Sequence, residues 1–105
     1  MIPTTNEHVL AFLNYIRYEK NYSEKTMSSY ASDLREYEDF ITRKTGEFDP
    51  LHPDIDLVRS WMTEMGKNHL SVATVKRRVS CVRSFCKYLR KHNLIESNPL
   101  TLLPS

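Results

Sequence analysis

Apolar side chains recur at intervals of three and four residues in four stretches of the chain, and no stretch alternates apolar and polar residues over a sustained length. Spacing by three and four places side chains on one face of an α-helix, whereas alternation is typical of a strand. The pattern therefore predicts an all-α fold of four helices. The predicted helices run from Thr5 or Asn6 to Lys20, from Ser23 to Lys44, from Asp54 or Asp56 to Gly66, and from Ser71 to His92.

Residues that favour helix ends lie at the limits of these stretches. Ser23 and Ser71 are good N-caps, because a serine hydroxyl accepts a hydrogen bond from an unpaired amide of the first turn. Gly46 can adopt the left-handed conformation that ends the second helix, and Gly66 is predicted to close the third. Thr5 or Asn6 is the N-cap candidate of the first helix, and Asp54 or Asp56 that of the third. Each predicted helix therefore has a local signal for at least one of its ends.

The last eight residues follow the predicted helices and begin with the pair Asn98-Pro99, which ends regular structure. We expect residues 1–97 to form one helical domain and residues 98–105 to begin a linker. The segment nevertheless carries three apolar residues, Leu100, Leu102 and Leu103. Two interpretations are open: these leucines are covered by something beyond residue 105, or they dock back onto the helices.

A helical wheel of the fourth helix separates apolar from cationic positions. The predicted inner seam is Val72, Val75, Val79, Val82, Cys86 and Leu89. The opposite face mixes small and cationic residues: Ala73, Arg77, Ser80, Ser84, Lys87 and Lys91, with Lys76 at its margin. A helix that enters a DNA major groove needs small side chains for close approach and cations for the phosphates on either wall. A merely solvated helix surface also carries alanine and serine, so the wheel alone leaves both interpretations open.

Composition excludes several functional classes. Gly46 and Gly66 are the only glycines of the 105 residues, and neither belongs to a glycine-rich phosphate-binding loop, so no nucleotide or other cofactor is predicted. Apolar runs are too short to span a membrane and the start of the chain lacks a signal-peptide pattern, so we expect a cytoplasmic protein. Cys81 and Cys86 point in different directions on one helix, which predicts reduced thiols and no metal site.

Charge is segregated along the chain. The net charge is only +2, but Lys67 to Ile95 contain eight basic residues and no acidic one, so this third carries +8 and the rest −6. A cationic surface on an anionic body is the distribution expected of a protein that binds a polyanion with one face. A solvated charged helix is the alternative, although such helices usually interleave both signs.

The second helix divides in the same way. Its first half presents five outward residues, all but Ser32 predicted to contact a phosphate backbone: Lys25, Ser28, Ser29, Ser32 and Arg35. Its later half gathers Glu36, Glu38 and Asp39, which would repel DNA. Only the amino-terminal half is therefore predicted to face nucleic acid, where the helix dipole also favours a phosphate oxygen.

Two segments of the chain together resemble a known family. The helix start Ser23 to Thr26 is followed by Tyr30 and the pair Asp33-Leu34, and later Leu70-Ser71 and Thr74 lead to Arg83-Ser84-Phe85 and the Asn98-Pro99 exit. In order and spacing these motifs are similar to the core-binding, SAM-like domain at the amino end of tyrosine recombinases, the phage integrase and Xer-type family. The resemblance covers nearly the whole chain.

The resemblance implies a four-helix orthogonal bundle that clamps one face of a recombination half-site, while a separate carboxy-terminal domain performs catalysis. That catalytic domain is absent from the chain, so the chain itself is not expected to be an enzyme, whereas its full-length parent would cleave and rejoin DNA strands. No histidine is followed three residues later by arginine, and none of the six tyrosines has a basic constellation resembling that of an activated nucleophile, so no catalytic residue is predicted.

The implied partner is double-stranded DNA. The resemblance and the charge pattern predict the same contact residues, mostly for phosphates: Lys25, Ser28, Ser29, Arg35, Thr74, Lys76, Arg77, Ser80, Ser84 and Lys87. Arg77 is the best candidate to read a base, because a bidentate contact of arginine with guanine is the commonest specific one. The isolated domain is expected to be monomeric, and neighbouring protomers would meet on DNA only in the full-length protein.

Two other functions use the same features. A stand-alone helical DNA-binding regulator would have the same basic face but would need a dimerisation surface and a short turn before its recognition helix. A SAM-like protein-interaction module would bind a protein instead, with an affinity that ignores salt and DNA length.

Overall fold

The computed structural model describes residues 6–104, so Thr5, the alternative first N-cap, and Ser105 lie outside the described residues. Four α-helices follow one another, α1 (Glu7–Tyr18), α2 (Glu24–Thr45), α3 (Ile55–Lys67) and α4 (Val72–Lys91), and a short 3-10 helix spans Pro99–Leu102. No strand occurs within residues 6–104. The predicted all-α fold with four helices is confirmed.

The two Ser-x-x-Thr motifs are helix caps with the same geometry. In the first, Ser23 Oγ accepts a hydrogen bond from the Thr26 amide at 3.2 Å and donates to Thr26 Oγ1 at 3.0 Å. In the second, Ser71 and Thr74 repeat these contacts at 3.1 and 2.9 Å. Each motif thus satisfies an amide that the helix itself leaves unpaired, which explains why α2 and α4 begin where they do.

The other helix ends resolve two open choices. Asn6 caps α1 by accepting hydrogen bonds from two amides of its first turn. Asp54, rather than Asp56, caps α3, and Asp56 donates its amide to Asp54 Oδ1 at 2.8 Å. Gly46 ends α2 with φ of 92°, the left-handed conformation predicted for it.

The prediction that Gly66 closes the third helix is wrong. Gly66 lies inside α3, and the left-handed residue is His69, with φ of 64°. The His69 amide donates to the Gly66 carbonyl at 3.0 Å, and the Leu70 amide reaches back to the Met65 carbonyl at 3.1 Å. These bonds end the helix beyond Gly66, and histidine is among the residues that tolerate the left-handed region best.

The core lies where α4 packs against the other three helices. Phe12 and Phe85 are fully buried with ring centroids 5.4 Å apart. Trp61 is buried beside Tyr37, with ring centroids 5.6 Å apart. Burial raises the pKa of the Tyr37 phenol, so this side chain stays protonated.

The buried face of α4 is wider than the predicted seam and is shifted around the helix. Phe85 and Cys81 are buried, whereas Val72, placed in the seam by the wheel, is 71% exposed. The reason is that α4 contacts α1 and α2 as well as α3, so the burial extends toward Cys81 and Phe85. Val72 lies in the first turn, and its side chain leans toward the amino end of α4, away from the core.

The C-terminal segment docks on the bundle. Leu100 and Leu103 are 1% and 6% exposed, and the 3-10 helix contacts α3 and α4. Asn98 caps this helix by accepting from the Leu100 amide at 3.1 Å, and Arg83 of α4 donates to the Pro104 carbonyl. Of the two interpretations of these leucines, docking applies to Leu100 and Leu103, while Leu102 remains 71% exposed.

Replacing Leu100 by alanine is expected to lower the free energy of unfolding by about 3 kcal/mol, because the change removes buried methyl groups and leaves a cavity. Leu102→Ala is the matched control, since the exposed Leu102 side chain contributes little to the core. It should change stability by less than about 0.5 kcal/mol. Urea unfolding followed by circular dichroism measures both values, and equal effects of the two variants would contradict the docked segment.

Candidate nucleic-acid interface

The exposed side of α4 carries cations separated by small residues. We call it the basic face and define it by Lys76, Lys87 and Arg90 together with Ala73, Ser80 and Ser84. Within residues 6–104, these three cations form no ion pair. Their charges are therefore not offset by neighbouring carboxylates and are available to a polyanion. The predicted contacts Lys76 and Lys87 both lie here, and Arg90 is a third cation that the sequence prediction omitted.

Four predicted contact residues meet in one groove. The groove has a volume of about 320 Å³ and lies between the start of α2 and the middle of α4. From α2 it is lined by Lys25 and Ser29, and from α4 by Arg77 and Ser80. Two helices that are far apart in sequence thus place two cations and two hydroxyls around one concave surface.

Two other predicted residues lie on the opposite side of α2. Ser28 and Arg35 line a separate groove between α1 and α2. Arg35 also has a partner, because its Nε donates to both carboxylate oxygens of Asp39 at 3.0 and 3.2 Å. The first half of α2 is therefore not one continuous surface, and its predicted contacts divide between two grooves.

The remaining predicted hydroxyls are partly buried. Thr74 is half-buried within the cap of α4 and accepts a hydrogen bond from Ser71. Ser84 lies against Tyr30, whose pKa is raised mainly by burial and is lowered in part by the hydrogen bond with Ser84. Both hydroxyls therefore have a protein partner as well as a position near the basic face.

Arg77 forms the principal ion pair of the groove. Its Nε donates to Asp33 Oδ2 at 3.0 Å and its Nη2 to Asp33 Oδ1 at 2.8 Å, and these bonds raise the pKa of the guanidinium. Asp33 is 2% exposed, whereas the Arg77 side chain is 55% exposed. The carboxylate thus lies beneath the arginine, and two of the arginine's nitrogens are already occupied.

Sequence reasoning missed this pairing. It used Asp33 only as part of the Asp33-Leu34 motif, and assigned no partner to Arg77. The available signal was the position of Asp33, three residues after Tyr30 and four before Tyr37, which places an acidic residue on the apolar side of α2. A carboxylate on a buried helix face requires a cationic or hydrogen-bonding partner.

Arg78 lies beside the same carboxylate. Its side chain is 20% exposed, and its Nε is 3.8 Å from Asp33 Oδ1, with no hydrogen-bond partner. Its Nη1 is 3.9 Å from Glu36 Oε2 and 4.0 Å from Met65 Sδ. Two neighbouring residues of the basic segment therefore surround one buried acid of α2 and are directed toward the protein.

Lys91 of α4 binds a neutral group. Lys91 Nζ donates to the Tyr15 hydroxyl at 3.1 Å, and this hydrogen bond lowers the pKa of Tyr15. Lys20 Nζ lies 6.0 Å from the same ring. Tyr15 thus has basic neighbours that no sequence motif indicated, and its ring packs on Tyr88 and His92.

Other chemistry is limited within the described range. Cys81 and Cys86 are buried free thiols, and burial raises the pKa of both, that of Cys86 to about 12. Among residues 6–104, no three His, Cys, Asp or Glu side chains are placed to hold a metal ion. No described helix combines the length and apolar character needed to cross a membrane.

Comparisons with known proteins agree with this architecture. Residues 9–93 match the family described as phage integrase, N-terminal SAM-like domain. The chain is 33% identical over 95 residues to the tyrosine recombinase XerC of Lacticaseibacillus casei, which covers 90% of the chain and 32% of that relative. It is 36% identical over 102 residues to the tyrosine recombinase XerC of Pelotomaculum thermopropionicum, covering 93% of the chain and 33% of the relative.

The chain thus spans about a third of the length of the curated relatives it matches. No solved structure gives a significant match. The family match includes all of α2, α3 and α4 and most of α1. The fold class is confirmed as SAM-like, and the chain belongs to the phage integrase N-terminal SAM-like domain family.

Proposed function

We propose that the chain is the DNA-binding domain of a Xer-type tyrosine recombinase and that it clamps a recombination half-site with the basic face of α4. The observation that carries this proposal is the set of exposed cations Lys76, Lys87 and Arg90, none of which has a carboxylate partner within residues 6–104. The similarity to proteins named tyrosine recombinase XerC supplies the recombination context.

The basic face supports a helix that lies along a groove of the duplex. Ala73, Ser80 and Ser84 let the α4 backbone approach closely, while Lys76 and Lys87 reach phosphates on either side. In the groove between α2 and α4, Lys25 and Ser29 offer a second phosphate site near the positive end of the α2 dipole.

The three remaining contacts take lesser roles in this arrangement. Thr74 can donate its hydroxyl proton to a phosphate while it accepts from Ser71. Ser28 and Arg35 contribute only where the duplex extends past α2 toward α1, because they line the groove on that side.

Arg77 keeps donors for DNA in this arrangement. Asp33 accepts one N–H from Nε and one from Nη2, so the second Nη2–H and both Nη1–H groups have no partner among the described residues. Two of these donors are parallel and suit either a phosphate or a guanine. Because about half or more of protein–DNA hydrogen bonds go to phosphate and sugar, we assign Arg77 to a phosphate, in place of the base-reading role favoured by the sequence.

The activity of the whole protein is also part of the proposal. A catalytic domain would follow residues 98–105 and cleave and rejoin DNA strands in the cytoplasm, with protomers paired on adjacent half-sites. The chain itself would act as a monomeric clamp without catalytic residues.

Salt dependence of DNA binding tests the proposal. The domain is titrated against a fluorescently labelled duplex of about 30 base pairs at several salt concentrations, and log affinity should fall linearly with log salt, by about 0.9 per phosphate contact. Lys87→Ala should reduce that slope by about 0.9. Lys44→Ala, which removes a lysine from the far end of α2, is the matched control and should leave the slope unchanged.

Three results would count against this function. Absence of binding at low salt would exclude DNA as the partner of the isolated domain. Binding that ignores salt and duplex length would favour a protein-interaction module on the same helix. A loss of slope in Lys44→Ala equal to that in Lys87→Ala would indicate non-specific attraction rather than an interface on α4.

A further inference from the structure

One buried carboxylate lies within reach of two arginines that differ in exposure. Asp33 is paired with Arg77, whose side chain is 55% exposed and lines the groove between α2 and α4. Arg78, the next residue, is 20% exposed and lies deeper against the same acid. The exposed Arg77 therefore makes the hydrogen bonds to Asp33, whereas the more buried Arg78 lies beside Asp33.

The Nε of Arg78 is a donor without an acceptor. It is buried, makes no hydrogen bond, and lies 3.8 Å from Asp33 Oδ1. That oxygen accepts from Arg77 Nη2 at 2.8 Å. A shift of about 0.9 Å would bring Arg78 Nε to hydrogen-bond distance of the same oxygen. Buried donors are nearly always paired, so an unpaired one beside an acceptor calls for an explanation.

We propose that the Asp33 carboxylate changes its ion-pair partner from Arg77 to Arg78 when Arg77 turns outward to bind a DNA phosphate. Arg78 is then a positioning residue, which acts on DNA through Arg77 and does not touch the duplex itself. This inference rests on the proposed DNA-binding function. The exchange at Asp33 is the step that frees Arg77 to contact DNA.

The physical basis is the cost of leaving a buried charge unpaired. If Arg77 left Asp33 alone, the carboxylate would stay in the protein interior without compensation, and that cost would oppose DNA binding. Arg78 removes this obstacle, because its guanidinium takes over the carboxylate with a small movement. The exchange also changes the groove, since the Arg77 charge is neutralised by Asp33 before binding and is directed at phosphate afterwards.

The test compares salt slopes of four proteins with the same labelled duplex: the native domain, Arg77→Ala, Arg78→Gln and the double variant. We expect Arg77→Ala and Arg78→Gln each to reduce the slope by about 0.9. The slope of the double variant should be reduced by no more than that of either single variant. Arg78→Lys, which keeps the charge beside Asp33, should restore part of the slope. A purely structural role for Arg78 would lower stability without changing the slope of the folded protein.

Each contrary result has a distinct meaning. An unchanged slope in Arg78→Gln would overturn the exchange while leaving DNA binding intact. A loss of about 1.8 in the double variant would also overturn it, because Arg78 would then be a phosphate contact in its own right. A native domain without any salt-dependent binding would overturn the proposed function itself.

A second measurement needs no variant. In nuclear magnetic resonance spectra of the ¹⁵N-labelled native domain, the Nε–H signals of both arginines are followed as duplex is added. We expect exchange with water to slow for Arg78 Nε–H in the complex, because this donor gains Asp33 as its acceptor. Unchanged exchange of Arg78 Nε–H in the saturated complex would overturn the proposal.

Discussion

Replacing Arg77 and Arg78 together by alanine is expected to lower the free energy of unfolding by about 3–5 kcal/mol, because it leaves the buried carboxylate of Asp33 without a cation. Either single replacement should cost clearly less than half of that, since the other arginine still lies beside the acid. Adding Asp33→Asn to the double variant should recover much of the loss. Urea unfolding at neutral pH measures each step.

The control for this cycle removes the same charge from the same helix. Lys76→Ala with Lys87→Ala also deletes two cations of α4, but neither lysine pairs with a carboxylate within residues 6–104. This pair should change stability by less than about 0.5 kcal/mol. Equal losses in the two double variants would mean that the charge of α4, rather than the Asp33 cluster, governs stability, and simple additivity of the two arginines would argue against a shared carboxylate.

Reversing two charges on the basic face is expected to produce the largest loss of DNA binding. Lys76→Glu with Lys87→Glu removes two phosphate contacts and adds two repulsive charges, so affinity at about 0.1 M salt should fall by at least about 100-fold. The salt slope should fall by about 1.8 or more. Fluorescence anisotropy with a labelled duplex measures both quantities.

The matched control is Lys44→Glu with Arg59→Glu. Both double reversals lower the net charge by four, from +2 to −2, but the control pair lies on α2 and α3, away from the exposed side of α4. At about 0.1 M salt, charges more than about 10 Å apart are largely screened, so we expect the control to retain affinity within about threefold of the native domain. If the two variants lose affinity equally, attraction depends on net charge alone and no interface is assigned to α4.

The features of the fold that could be predicted from sequence are helix ends that depend on neighbouring residues. Ser23, Ser71 and Gly46 act on amides and carbonyls within one turn, so their roles as caps could be predicted without knowledge of the fold. Gly66 shows the limit of such signals, because hydrogen bonds from His69 and Leu70 decide where α3 ends.

The candidate site depends on contacts that a single helix cannot indicate. A wheel of α4 correctly separates Lys76 and Lys87 from the core, since exposure follows helical periodicity. It cannot show that Arg77 lies on Asp33, 44 residues earlier in the chain, because that ion pair exists only when α2 and α4 pack. The base-reading role favoured for Arg77 rested on its place on the polar face of the helix and on the frequency of arginine–guanine contacts.

In the proposed full-length protein, the docked C-terminal segment would move the start of the tether to the catalytic domain from Asn98 to Pro104. A linker that began at Asn98 would gain six extended residues over one that begins at Pro104, or about 20 Å of reach. Leu100 and Leu103 are buried in the bundle and Arg83 donates to the Pro104 carbonyl, so these six residues do not add to the reach of the linker. A tether with less reach would confine the proposed second domain to a smaller volume and so raise its effective concentration near DNA bound by this domain.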